Sequence, residues 1–248
     1  MWLPEVQVMV AREQAGSAAG FCVAAKGGHN AESHNHNDVG TFIAFVDGEP
    51  VLVDAGVETY TARTFSAERY QIWTMQSAFH NLPTPGEAMQ REGEAFAAAG
   101  VEWRGDEAEA RLDLDIAGAY PPEAGLASWR RTVLLRRGRE VAVEDRWQLR
   151  DALPHLTCNL LTPCRAVLPA VAGDPVRLEP ADLADGRRSG RGELTFESAT
   201  APVVAADEIP LEDPSLRRVW GERLTRIAFR LDRPPASGGW TLRLRRAP

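Results

Sequence analysis

The chain has 248 residues, 44% of them hydrophobic, and a formal net charge of −7, enough for one β-sandwich or two small domains with a proper core and not a composition of disorder. With 28 Lys and Arg against 35 Asp and Glu it is no nucleic-acid protein, which needs a basic surface, and a polyanionic ligand would require a locally basic face. No run of about 18 apolar residues exists to span a membrane.

Three cysteines, Cys22, Cys158 and Cys164, match neither a zinc ribbon nor a disulfide framework and read as packed thiols. The opening residues MWLPEVQVMVAR lack the charged leader and apolar core of a signal peptide, so the expectation is a cytoplasmic chain or a part of a longer protein.

Along the chain, apolar and polar residues alternate at period two, as half-buried strands require. Val6, Val8 and Val10 form a first set. Thr41 to Val46 and Pro50 to Asp54 flank Asp47-Gly48, a dipeptide that predicts a tight hairpin. Ser66 to Gln76 predicts the one short helix, with Ser66 as N-cap and Tyr70, Ile72 and Trp73 facing inward. Leu112, Leu114 and Ile116 alternate again. Trp129 to Leu135 and Val141 to Leu149 surround the basic turn Arg136-Arg137-Gly138-Arg139, a second long hairpin. Further strands are expected at Leu156 to Leu161, Val203 to Ala206, Leu224 to Leu231 and Trp240 to Leu244, with solvated loops at Asp182 to Arg191 and Pro234 to Gly239. Many strands with almost no helix predict an all-β fold, a large antiparallel β-sandwich or a barrel.

Four of the five histidines, His29, His34, His36 and His80, fall in the first third with Asp38 and Asp54. In an extended segment His34 and His36 project to one side and present two imidazoles to one metal or substrate. His80 closes the site from a separate segment, and Asp54, after three apolar residues, needs a sheet edge or a positive partner. Two histidines, a carboxylate and an open position suit Zn2+, with Mn2+ or Fe2+ as alternatives. The hairpin pairs Asp54 with a residue near position 42, and a straight strand would leave His36 about 20 Å away at ~3.3 Å per residue. The segment must therefore curl back, and Gly40 is where it can. Otherwise these histidines are polar loop residues capped by their Asn and Asp neighbours.

The run KGGHNAESHNHNDVGTFIAFVDGEPVLVDAGVETY, Lys26 to Tyr60, followed by WTMQSAFHNLP, Trp73 to Pro83, closely resembles the heparinase II/III family of heparin and alginate lyases. The resemblance covers most of the first ~100 residues and implies that residues 1–248 form the antiparallel β-sandwich that follows an (α/α) toroid in such enzymes. Position by position, it makes His36, Asp54 and His80 the zinc ligands and His34 the histidine facing the substrate cleft. It implies β-elimination on an acidic, uronate-containing polysaccharide, in which a base removes the C5 proton and an acid protonates the leaving oxygen. It also suggests a periplasmic or cell-envelope setting. The family takes its main acid and base from the toroid, and these residues contain no such domain, so the expectation is a chain not catalytic alone.

Tyr60, Tyr70 and Tyr120 are the tyrosines available as substitutes, each read chiefly as a packing or rim residue. Arg130, Arg131, Arg136, Arg137 and Arg139 offer a carboxylate-binding strip or a solvated face. Glu32 and Asn35 are expected to orient the histidines, with Asn30 and Asn81 doing the same or meeting sugar hydroxyls. Two rival readings are a cupin-like metal enzyme, whose expected glutamate is replaced by Gly40 or Thr41, and a non-catalytic carbohydrate-binding module with a structural zinc.

Overall fold

The computed structural model describes residues 1–171 and 173–247. Among them, strands gather into three antiparallel sheets and a short ribbon. The first sheet is built in chain order from Trp2–Leu3, Val8–Arg12, Phe21–Lys26, Phe42–Val46 and Glu49–Leu52. The largest has eight strands, in the order Arg165–Val167, Val176–Glu179, Gly192–Ser198, Ser237–Arg245, Glu140–Leu149, Leu126–Arg136, Glu109–Asp115 and Ala99–Gly105. The third orders Val203–Pro210, Arg223–Asp232, His155–Thr162 and Pro83–Pro85, and the ribbon pairs His29–Asn30 with Gly93–Ala97. Apolar faces of all three sheets join one continuous core, running from Met9 and Phe42 through Leu112 and Val133 to Leu156 and Phe229. The expected all-β sandwich is therefore the fold.

Both predicted hairpins form. Asp47 and Gly48 sit at φ 53° and 84°, the left-handed pair that a tight two-residue turn needs. Arg136 pairs with Glu140 to close the second hairpin. At its centre Trp129 and Trp147 lie opposite each other and stack at 5.6 Å, and Trp240 from the next strand packs on both. The segment expected as a loop at Pro234 to Gly239 ends instead inside a strand, because Ser237 to Gly239 pair with Gln148 to Arg146, and a Cβ at Gly238 would meet the Trp147 indole at 2.5 Å. Glycine there leaves room for the ring beside the neighbouring strand.

Two further expectations are corrected. The core phase of the first long strand belongs to Met9 and Ala11, 0% and 5% exposed, while Val8 and Val10 are half-buried and Val6 is exposed. Met9 stands opposite buried Ala25 and Ala11 opposite buried Val23, so pairing fixes a register one residue from that of the more obvious valines. The Ser66–Gln76 helix is also absent. In its place are 3₁₀ turns at Ala62–Phe65, Arg69–Gln71, Trp73–Met75 and Ser77–Phe79, with Ile72 (ψ 125°) and Gln76 (ψ 135°) extended between them. Ile72 and Met75 are buried, whereas Tyr70 and Trp73 are only half-buried.

The α-helix among the described residues is Pro214–Trp220. Asp213 caps it by accepting from the Ser215 and Leu216 N–H groups, Pro occupies its first turn and Gly221 ends it. None of those described helices is long and apolar enough to cross a membrane. All three cysteines are free, Cys158 and Cys164 buried and Cys22 half-buried.

Candidate metal centre

Asp54 stands where the chain leaves one sheet for another. Its hairpin strand carries an extra residue, since Phe45 pairs with Pro50 but Ala44 with Leu52, and the ladder stops there. The next N–H, of Val53, donates to Leu161 O in the third sheet at 2.9 Å. Asp54 Oδ1 accepts from the Gly56 N–H at 2.8 Å, and Oδ2 meets His80 Nδ1 at 2.7 Å.

His80 ends the last 3₁₀ turn, donating its backbone N–H to Ser77 O, and is 1% exposed. Its second ring nitrogen, Nε2, is buried without a hydrogen-bond partner. His36, 9% exposed, tilts its ring toward His80 with centroids 5.4 Å apart. It arrives there because the chain does curl at Gly40, which holds φ 87° and whose missing side chain would strike Ile116 at 2.6 Å. One donor atom from each of His36, Asp54 and His80 lies within 4.8 Å of the others.

Electrostatics bind the three residues together. Burial holds the His36 pKa down, beyond what Asp54 restores. Burial would also depress His80, but the Asp54 carboxylate outweighs it and raises the value. Burial opposes ionisation of Asp54 too, yet His80, His36 and the Gly56 N–H together drive its pKa far below the usual carboxylate range. The carboxylate is thus kept ionised beside two imidazoles. Two nitrogens and one oxygen at these separations fit one divalent ion bound at about 2.0–2.2 Å after small side-chain adjustments, and the unused Nε2 shows that protein groups alone do not satisfy His80.

His34 is elsewhere. The expected extended HxH step is broken by turns, with His34 itself at φ 58°, so the two imidazoles do not share a side. His34 is exposed and stacks on Tyr60 at 5.7 Å, with Tyr60 Oη 3.2 Å from His34 Nδ1. Tyr60 is 40% exposed and meets the still more exposed Phe65 edge-on. Tyr70 donates to Asn35 Oδ1 and buried Tyr120 to Pro83 O, which leaves Tyr60 as the tyrosine beside an exposed histidine.

Of the expected orienting residues, Glu32 lies 3.6 Å from Lys26 Nζ and reaches no histidine ring. Lys26 also donates to Asp38 at 2.8 Å. Asn35 ties down its own loop by donating to Asn30 O, and Asn30 in turn holds Gln90 and Arg91 O. Asn81 does more than expected. Its Nδ2 donates to Phe42 O and Val53 O, and its Oδ1 accepts from the Leu161 N–H, so it joins the first hairpin to the third sheet beside both Asp54 and His80.

The arginine strip does not assemble. Arg131 is 1% exposed and turned inward, Arg136 binds buried Glu140, and Arg137 donates to Arg12 O and Asp106 O. Sequence reasoning missed the inward turn of Arg131, although period two places Arg130 and Arg131 on opposite faces and one of them had to enter the core.

The fold has counterparts among solved structures. A solved heparinase III structure, a gene product of that name, superposes with a TM-score of 0.71 at 13% identity, over 97% of this chain and 34% of that one. A second heparinase III structure gives 0.68 at 13% identity, over 96% and 35%. The heparan sulfate lyase HepC from Pedobacter heparinus gives 0.61 at 18% identity, over 94% and 36%. Such identities establish a shared fold, and the chain spans about a third of the length of these structures. No curated protein matches it in sequence. A family model described as Heparinase II/III-like, C-terminal matches residues 2–202, and the chain therefore belongs to that family.

Proposed function

We propose that this chain is the metal-carrying β-sandwich part of a polysaccharide lyase that cleaves uronate-containing polysaccharide, of the heparan sulfate or alginate type, by β-elimination. The observation that supports this best is the convergence of His36, Asp54 and His80 within 4.8 Å. No fourth His, Cys, Asp or Glu among the described residues joins them, which favours an open site over a closed structural zinc. His36, Asp54 and His80 would hold the ion, zinc ahead of manganese or iron for this nitrogen-rich set. When bound, it supplies a positive charge that ties three separate segments of the chain.

Of the elimination chemistry, this chain brings one proton-transfer step, carried by His34 with Tyr60 beside it. Elimination needs a base for the C5 proton and an acid for the glycosidic oxygen. Tyr60 Oη lies 3.2 Å from His34 Nδ1, so the imidazole is held in hydrogen-bond contact at an exposed surface. A complete reaction also needs a positioned substrate and a second proton-transfer group, whose loss typically lowers rates about a hundred- to ten-thousandfold. The chain by itself accordingly turns over no polysaccharide, and a helical domain supplies the opposite wall of the cleft.

Metal analysis of the purified chain should return close to one zinc per molecule. A chelator should lower Tm, because a ligand bound only by the native state stabilises it by about 2.7 kcal/mol at a hundredfold excess over Kd. His36→Ala and Asp54→Ala should reproduce that loss. Zinc far below stoichiometric, not restored on adding it back, removes the metal site. The lyase reading is tested by the ultraviolet absorbance of unsaturated uronate with heparan sulfate, heparin and alginate. Robust cleavage by this chain that vanishes in His34→Ala would give the sandwich a complete active site of its own and overturn the division of labour.

A further inference from the structure

Arg131 and Asp145 are 1% and 0% exposed in their side chains, a charged pair deep in the sandwich that no step above uses. Arg131 Nε and Nη2 each donate to an Asp145 oxygen at 2.8 Å. Asp145 is held from behind by two indoles, Trp129 Nε1 at 2.9 Å and Trp240 Nε1 at 2.7 Å. The third guanidinium nitrogen, Nη1, points the other way and donates to Gly40 O at 3.0 Å and Asn81 O at 2.8 Å.

Those two carbonyls belong to the segments that carry the metal-binding histidines. Gly40 is the curl that brings His36 home, and Asn81 follows His80 directly. The Asn81 side chain reaches Val53 O, next to Asp54. One guanidinium is thus joined, directly or through Asn81, to all three ligand-bearing segments.

We infer that Arg131, anchored by Asp145, is a positioning residue that sets the spacing of His36, Asp54 and His80. The inference rests on the metal reading above. Burial alone does not explain the pair, since well-packed apolar residues often stabilise a core as well as a buried ion pair does. An apolar side chain, however, holds no carbonyl. The planar guanidinium grips the carboxylate with two nitrogens and leaves a third for the site, which the single ammonium of lysine cannot do. Asp145, held by the tryptophan cluster, ties that grip to the core of the large sheet.

The test compares zinc Kd, measured by competition with a chromophoric chelator, and Tm of the metal-free proteins. Arg131→Lys should fold but bind zinc about ten- to a hundredfold more weakly, the range for partners that orient metal ligands. Glu140→Gln supplies the control, because Glu140 is equally buried at the far end of the same hairpin. It should lower Tm to a similar degree and leave zinc Kd unchanged. Should Arg131→Lys not fold, Trp240→Phe removes one donor to Asp145 and should weaken zinc severalfold in a folded protein.

A folded Arg131→Lys or Trp240→Phe protein with wild-type zinc affinity overturns the proposal, as does a Glu140→Gln protein that loses as much affinity as Arg131→Lys. A wild-type chain that takes up no zinc overturns the metal reading and this one with it.

Discussion

His34 holds a left-handed backbone, φ 58°, in a residue that is not glycine. Such a conformation costs about 1–3 kcal/mol unless its surroundings compensate, and it recurs where a side chain must be presented in a set direction. Here it turns His34 out against Tyr60 while His36, two residues on, goes inward. Glu140 shows the opposite use of charge. It accepts from Arg136 at 2.7 Å and from Arg243 and Arg245 at 2.9 Å. Burial pushes its pKa up, but these three guanidiniums prevail and hold it below the usual value. A carboxylate depressed on folding stabilises the native state fully above its unfolded pKa of about 4.3, and that stability is lost as pH falls through the folded value. Glu140→Gln should therefore be less stable by about 2 kcal/mol at neutral pH, for bonds to a charged group. The gap to wild type should narrow below about pH 4. Denaturant melts at neutral and acid pH check this, and a gap constant with pH would show that Glu140 acts by packing alone.

Among the elements, the helix Pro214–Trp220 lies beyond residue 202, where the family match ends, yet it braces the segment that leads from Asp54 to Tyr60. Asp213 Oδ2 accepts from the Thr59 N–H at 3.0 Å, and Trp220 Nε1 donates to Ala55 O at 2.9 Å. Leu211, Leu216 and Trp220 pack with Val53 and Ala55 in a small second core. Asp213→Ala should lower stability by about 1 kcal/mol, the usual effect of losing an N-cap. It should also speed hydrogen exchange at Thr59 while leaving Val53, held by Leu161, unchanged. Equal protection of Thr59 in both proteins would separate the helix from the loop.

The sequence reading missed this helix, although DPSLRRVWG carries an Asp cap, an early Pro and a closing Gly. The segment read as helical offered Ser66 as a cap but no early Pro and no closing Gly, and it forms single 3₁₀ turns. Strands were legible because period two survives burial on one face. The phase of Val8 and Val10 was not, because adjacent small apolar residues make both faces plausible until a neighbour chooses.

At the scale of the whole molecule, the sandwich architecture and the three candidate ligands were accessible from the sequence, the ligands through a motif and not through spacing. Local sequence left about 20 Å between His36 and Asp54 at ~3.3 Å per residue. It is the curl at Gly40 and the Arg131 grip, contacts between residues 91 positions apart, that close the gap. Long-range polar contacts of this kind leave no periodic trace: the His34–Tyr60 pair had no local signature, and period two put one of Arg130 and Arg131 in the core without showing what it would hold.

The buried thiols turn this architecture into a clock. Thiolate is the reactive form of cysteine, and burial raises the Cys158 pKa to about 12. Cys158 stands between Pro83 and Phe229 on neighbouring strands, and Asn159 beside it grips Leu82 O at 3.0 Å. Cys158 is 3% exposed, so a reagent reaches it only on local opening, and its Pro83–Pro85 neighbour strand is the direct continuation of His80 and Asn81. Half-buried Cys22 should label first, and Cys158 at the rate of local opening around it. Saturating zinc should slow Cys158 alone, as counted by mass spectrometry of labelled peptides. Identical Cys158 kinetics with and without zinc would mean that ion binding and local opening are independent events; a slowed rate would let one sulfur atom time the breathing of the site.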